Sequence, residues 1–166
     1  MEFAIQTRGS WDVIQDTARW AEERGLSAIA LPDHYLERGN DPQRPAYDHL
    51  IHLAALAPEA RSFQGAHDQL GDFDPHPIFL SSAGPGLAAR KDADYRRLLG
   101  LYAERTNTSP TRIEAVYETR GYPHGPGDKA AEMLAALSEA GCQRFYMQMF
   151  LGDTQDLDVV LDAYRG

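Results

Sequence analysis

An aspartate and a histidine stand side by side where an apolar run of the sequence ends. The segment LSAIALPDH covers residues 26–34, and its apolar part stops at Pro32, directly before Asp33 and His34. An imidazole titrates near neutral pH, and an adjacent carboxylate adjusts its pKa. The pair therefore has the composition of a proton-transfer site with His34 as the acid or base. The structural alternative is that Asp33 caps a turn and His34 packs in a loop.

A run of small residues, SSAGPG at positions 81–86, is a second candidate site. It ends an expected strand that begins at Pro77, and we read its glycines as a turn after that strand. Backbone N–H groups in such a turn can approach an anion such as a phosphate, which makes these residues candidates for cofactor binding: Ser81, Ser82, Gly84 and Gly86. An ordinary turn explains the same composition.

A third group offers metal-ligand residue types at helical spacing. Asp48, His49 and His52 lie close enough in sequence to share one face of a helix, and two imidazoles with a carboxylate can hold a divalent metal. No further strong ligand follows nearby, so a solvated helix edge is the preferred interpretation and no metal site is predicted. The sequence also lacks G-x-S-x-G, G-x-x-x-x-G-K-[ST] and a strand-linked G-x-G-x-x-G.

Composition excludes several classes of partner. The chain has 166 residues and a net charge of −9, so nucleic acid and anionic membrane surfaces would repel it. No apolar stretch approaches the roughly 20 residues that a membrane span needs. The amino terminus does not resemble a signal peptide. Cys142 is the single cysteine, so no intrachain disulfide can form, and we expect a reducing, cytoplasmic location.

Candidate strands alternate with helical patterns along the chain. The expected strands are residues 2–7, 26–33, 77–86 and 143–150, and helical periodicity follows each of them. Continuous apolar character in 26–33 favours a strand that is buried on both faces, as in a parallel sheet. The sequence therefore predicts an α/β fold with a parallel sheet of about four strands and with helices on the outside.

Two stretches, residues 10–39 and 121–150, together resemble the bacterial luciferase-like monooxygenase family, especially its F420-dependent branch. In that family an early strand ends in an Asp-His pair, which matches Asp33 and His34. Three later features of the family also have counterparts here: a G-T-P-E-like helix start, a helix that ends in E-A-G, and a last strand with an aromatic residue and a glutamine. They correspond to Gly125–Asp128, Glu139–Gly141 and Phe145–Gln148. The resemblance covers residues 1–57 and 92–164.

The resemblance implies a shortened, TIM-like (β/α)8 barrel, because a complete one takes about 250 residues. The segments correspond to the family's first two and last two strands. We therefore expect one domain, 1–166, with two βα units in 1–57, an irregular connection in 58–76 and two βα units in 77–166. First and last strands are neighbours in a closed barrel, so the four should be contiguous in the order third, fourth, first, second. Exposed edges of such a half-barrel predict a homodimer that completes it.

The family's chemistry implies a flavin- or F420-dependent oxidoreductase of the monooxygenase type, acting on a small-molecule substrate. In that reading F420 or FMN is the cofactor, His34 and Asp33 flank its ring, and Tyr146 and Gln148 line the cavity floor. The family builds its cofactor pocket largely from middle strands that this chain lacks. The alternative is therefore a non-catalytic dimeric scaffold or binding protein derived from that family, which needs no cofactor.

Overall fold

The protein is described by a computed structural model over residues 1–31, 56, 81–148 and 154–166. Within these ranges it has six strands: β1 Glu2–Gln6, β2 Ile29–Ala30, β3 Ser81–Pro85, β4 Leu87–Ala89, β5 His124–Pro126 and β6 Arg144–Gln148. The helices with described bounds are α1 Trp11–Glu23, α2 Asp92–Thr106, α3 Pro110–Arg120, α4 Lys129–Glu139 and α5 Thr154–Arg165. The α/β class predicted from the sequence is confirmed.

Four strands form one parallel sheet in the order β2-β1-β6-β3. Ile5 of β1 lies opposite Ile29 of β2 on one side and Met147 of β6 on the other. Met147 in turn lies opposite Gly84 of β3. The parallel sheet of four strands is confirmed, and the strand order agrees with the contiguous order predicted above.

Two crossover connections of this sheet, each between neighbouring strands, step in the same direction. The chain passes from β1 to its neighbour β2 through α1, and from β3 to its neighbour β6 through the segment that contains α2, α3 and α4. Right-handed crossovers that step the same way place their helices on one face of the sheet. In agreement, one core cluster joins helical side chains to Ile5, Phe145 and Met147 of the sheet. Each of the five helices contributes to it, for example through Trp20, Leu98, Ile113, Leu134 and Leu161.

Alternation along β6 separates a helix-covered face from a second face. Phe145 and Met147 are buried, and the ring of Phe145 meets that of Tyr164 of α5 edge-on at 5.5 Å. Residues at the alternate positions, Tyr146 and Gln148, are only partly buried and point to the opposite face of the sheet. The period-two pattern differs from the continuous apolar pattern of a strand that is covered on both faces.

The segment around Gly86 corrects one sequence interpretation. Ser81–Pro85 is itself a strand paired with β6, rather than a turn that follows a strand, and β4 begins directly after Gly86. The segment HGP forms β5 and pairs in parallel with β4, although the sequence predicts no strand there. Its glycine and its proline hide the alternation on which strand prediction depends.

The ends of α1 and α3 carry residue types that commonly start or stop helices. Ser109 accepts a hydrogen bond from the backbone N–H of Arg112 and Pro110 opens α3, while Gly121 ends it with φ +64°. Gly25, with φ +67°, follows α1 in the left-handed conformation that glycine favours. Residues at helical spacing form the buried faces of α2 and α5: Tyr95, Leu98, Leu99, Tyr102, Leu157, Val160, Leu161 and Tyr164.

Several predictions fall on other residues. Asp33, His34, the candidate group Asp48, His49 and His52, and the connection 58–76 lie outside the described residues. Leu56, at the end of the predicted second helix, is helical and packs with Ile14 and Ala18 of α1.

Candidate functional site

The face of the sheet opposite the core cluster carries a set of polar side chains on its two central strands. We call this set the polar face: Glu2, Gln6, Arg144, Tyr146 and Gln148. Register places Glu2 opposite Arg144 and Gln6 opposite Gln148, so the side chains form paired rows across β1 and β6. The row of Gln6 and Gln148 lies at the carboxyl end of the parallel strands, where α/β folds place their ligands.

The two glutamines are joined directly. Nε2 of Gln148 donates a hydrogen bond of 2.7 Å to Oε1 of Gln6. The backbone carbonyl of Gln148 accepts from the hydroxyl of Tyr102 and from the N–H of Gly86. Its backbone is therefore held from two sides while its side chain extends over the polar face.

The amino end of the polar face is an ion pair. Nε and Nη2 of Arg144 donate to one carboxylate oxygen of Glu2 at 3.0 and 2.7 Å. Hydrogen bonding to Arg144 holds the pKa of the Glu2 carboxyl below its usual range. Arg144 also interacts with the hydroxyl of Tyr146, and together these partners raise its pKa despite the opposing effect of partial burial. Glu2 and Arg144 thus neutralise each other's charge at the amino end of the sheet.

Small residues flank Tyr146 on both neighbouring strands. Register places Ala4 of β1 and Ala83 of β3 on either side of it. The methyl side chains of Ala4 and Ala83 are much shorter than the phenol ring of Tyr146, so the ring extends further from the sheet than its two neighbours do. The centre of the polar face therefore carries one large aromatic side chain between two small ones, with Ala4 fully buried at 0% exposure.

The small residues of 81–86 have a structural explanation. A Cβ added at Gly84 would lie 3.0 Å from Cζ of Phe145, so glycine lets β3 approach the core. The N–H of Gly86 donates to Gln148, and Gly84 and Gly86 are buried. Ser81 and Ser82 belong to the same strand. The anion-binding turn that we predicted is thus a paired strand, and a cofactor-binding role for these residues stays a prediction.

A second polar group, around His124, was missed from the sequence. His124 is 1% exposed, and its Nδ1 lies 2.7 Å from the carbonyl of Tyr122, which assigns the ring proton to Nδ1. Its Nε2 lies 3.5 Å from both Nζ of Lys129 and Oε1 of Glu118, which pair with each other. Gly125 allows this arrangement, because a Cβ there would meet the side chain of Lys129. In the sequence, this group is marked by a histidine that follows Tyr122 and Pro123 and precedes Gly125.

The remaining surfaces of the described chain offer less. A shallow, open depression of about 520 Å³ lies at the amino end of the sheet, lined by Met1, Glu2, Ser138, Gly141, Cys142 and Gln143. It is at the opposite end from Gln6 and Gln148. Among residues 1–31, 81–148 and 154–166, no cluster of histidine, cysteine and carboxylate side chains is arranged to hold a metal. In the same part of the chain, no helix has the length and apolarity required to cross a bilayer.

Of the predicted site residues, the structure brings Tyr146 and Gln148 together on one face and adds Gln6, which we had not singled out. Asp33 and His34 follow β2 in the sequence but lie outside the described residues, so their approach to this face stays a prediction. Comparison with protein-family models, with curated proteins and with solved structures finds no match to the chain.

Proposed function

We propose that the chain is a shortened relative of the luciferase-like flavin- and F420-dependent oxidoreductases and that it binds the ring of such a cofactor on the polar face. The observation that carries the proposal is the strand order β2-β1-β6-β3 with same-direction crossovers. Adjacent first and last strands, with the five helices of described bounds packed into one core cluster with the sheet, fit a contiguous part of a (β/α)8 barrel. A doubly wound sheet would place helices on both faces.

The polar face supports a ring-binding role. The amide groups of Gln6 and Gln148 lie at the carboxyl end of neighbouring strands, beside the aromatic ring of Tyr146. An extended heterocycle gains from stacking on an aromatic ring and from a few placed polar partners. The charged pair of Glu2 and Arg144 lies at the far end of the same strands and does not interfere with a neutral ring.

In the proposed reaction the cofactor supplies hydride transfer or oxygen chemistry, and the protein supplies position and proton transfer. Tyr146 and the two glutamines orient the ring. His34, with its pKa adjusted by Asp33, gives or takes a proton at the edge of the cofactor site. The substrate is a small molecule, and we place the protein in the cytoplasm because it carries a single cysteine.

The proposal is tested by titrating the purified protein with FMN and with F420 while following cofactor fluorescence. Quenching that saturates with either cofactor, together with a shifted visible absorbance, is the expected result. The same titration with free N-acetyltyrosine amide in place of the protein is the control for non-specific stacking of the cofactor on a tyrosine ring. Failure of both cofactors to bind at concentrations up to about 1 mM, the weak end of specific binding, would refute the oxidoreductase proposal.

His34 can be tested without knowing the substrate. The absorbance of bound cofactor is expected to change with pH through a step near the ordinary histidine pKa of about 6.5, because an imidazolium beside the ring alters its electronic environment. His34→Ala should remove the step. The control is His76→Ala, at the last residue of the expected connection 58–76, and it should retain the step. Asp33→Asn should move the step to lower pH, because the carboxylate stabilises the imidazolium. A step that survives in His34→Ala contradicts the role assigned to His34.

A non-catalytic dimeric scaffold is the second candidate. It is favoured by the edge strand β2, which within the described residues pairs only with β1 and leaves its other edge without a strand partner. A second copy of the chain could pair with such an edge. Light scattering after size-exclusion chromatography is expected to give twice the mass of one chain. A monomer at micromolar concentration, in a sample that binds neither cofactor, would leave the scaffold without support.

A further inference from the structure

The pair of Gln6 and Gln148 is only half satisfied by its own hydrogen bond. Two facing amides can form two bonds, but one is made, from Nε2 of Gln148 to Oε1 of Gln6. Among the residues that the structure describes, neither the Nε2 donors of Gln6 nor the Oε1 acceptor of Gln148 has a further partner. The pair therefore presents one donor group and one acceptor group, held in place by their mutual bond.

We propose that this pair binds a planar cyclic lactam or imide, that is, a ring edge on which a C=O and an N–H stand side by side. The acceptor of Gln148 takes the ring N–H, and the donor of Gln6 reaches the adjacent ring C=O. The inference deepens the proposed function and rests on it, because flavin and deazaflavin rings share an imide edge of this kind. It accounts for recognition of both cofactors by the same two residues.

The surroundings of the pair fit such an edge. Both side chains are partly buried rather than fully solvated, so competition from water is reduced while access remains. Tyr146 lies two residues before Gln148 on the same face of β6, so its partly buried ring is next to the amide pair. The ring body of a ligand whose edge meets the glutamines can therefore lie along the aromatic surface. The register of β1 with β6 fixes the two amides opposite each other.

The test compares two ligands that differ only at the edge. Lumiflavin carries the free imide N–H, and 3-methyllumiflavin carries a methyl group in its place. Dissociation constants are measured by fluorescence for the full chain and for Gln148→Leu, Gln148→Glu and Gln6→Leu. Gln143→Leu is the matched control, since Gln143 is exposed and lies outside the polar face.

The wild-type chain is expected to bind lumiflavin about tenfold or more tightly than the methylated ligand, because the methylated ring would cover the Gln148 acceptor without supplying a donor. Gln148→Leu should remove the preference, Gln148→Glu should keep it through the retained acceptor oxygen, and Gln143→Leu should match the wild type. Gln6→Leu should weaken lumiflavin binding by a similar factor.

Two results would overturn the inference, and they are distinguishable. The inference fails if the wild type binds the two ligands equally, or if the preference survives in Gln148→Leu. Either result shows that the amide pair does not recognise the imide edge, and the proposed cofactor binding is unaffected. Binding of neither lumiflavin nor its methylated form, together with no binding of FMN or F420, overturns the inference and the proposed function at once. Circular dichroism of each variant confirms that it is folded.

Discussion

Replacing Phe145 with alanine is expected to lower the free energy of unfolding by about 3–5 kcal/mol, the usual cost of removing a buried aromatic ring. The side chain of Phe145 is fully buried at 0% exposure, contacts Tyr164 edge-on, and lies against the position where Gly84 lacks a Cβ. Few neighbours can close the space, because β3 is held in register with β6. Urea unfolding followed by circular dichroism measures the change.

The adjacent residue provides the control for that prediction. Tyr146 is on the same strand but points to the opposite, partly exposed face, so Tyr146→Ala should cost only about 1 kcal/mol. Phe145→Leu gives a milder core variant if the alanine variant does not fold. A larger loss from Tyr146→Ala than from Phe145→Ala would mean that the two faces of β6 are assigned the wrong way round, and the polar face would not exist as described.

Tyr164→Phe is expected to lower the free energy of unfolding by about 1–3 kcal/mol, a large effect for the loss of one oxygen. The Tyr164 hydroxyl lies 2.9 Å from the carbonyls of both Pro85 and Pro123, and it donates its single proton between them. Burial raises the pKa of the phenol, so the group remains a donor at all ordinary pH values. The phenylalanine variant leaves two buried carbonyls without this donor. Thermal and urea unfolding measure the loss.

A second tyrosine provides the comparison. The hydroxyl of Tyr122 is at the surface near Arg120, so Tyr122→Phe should change stability by less than about 0.5 kcal/mol. Equal effects of Tyr122→Phe and Tyr164→Phe would show that the bridge from α5 to the ends of β3 and to the residue before β5 contributes nothing to stability.

Helices were predictable from the sequence because their signals are local. The period of Tyr95, Leu98, Leu99 and Tyr102 identified the buried face of α2, and Ser109 with Pro110 marked the start of α3. These signals depend on residues within one or two turns. Strand order is not a local property, and it was reached only through the resemblance to a barrel family.

The strands around residue 86 were not predictable for a physical reason. Ser81–Pro85 and His124–Pro126 consist mainly of small residues and proline. They therefore show no alternation of polar and apolar side chains from which a strand could be predicted. Pairing with β6 and β4 makes them strands, and a glycine at 84 is required by a ring at 145 that is distant in sequence. Local chemistry indicated a turn, and tertiary contacts overrode it.

The candidate site was predictable in part. The resemblance to the barrel family implied that Tyr146 and Gln148, in the last strand, line a common cavity, and the structure places both on one face of β6. Gln6 was not recognised, because a single glutamine at the end of a short strand does not indicate a binding site until the residue opposite it in the sheet is known. Its role depends on the register of β1 with β6, which joins residues 142 positions apart.

The central claim is that the polar face receives the flat ring of a cofactor, and side-chain amide resonances of glutamine test it most directly. FMN or F420 is added to the isotope-labelled protein, with the resonances assigned through Gln6→Leu, Gln148→Leu and Gln143→Leu. The account predicts that the amide signals of Gln6 and Gln148 shift and saturate with the cofactor while that of Gln143 stays in place. Saturable binding that leaves the Gln6 and Gln148 signals unmoved would contradict it.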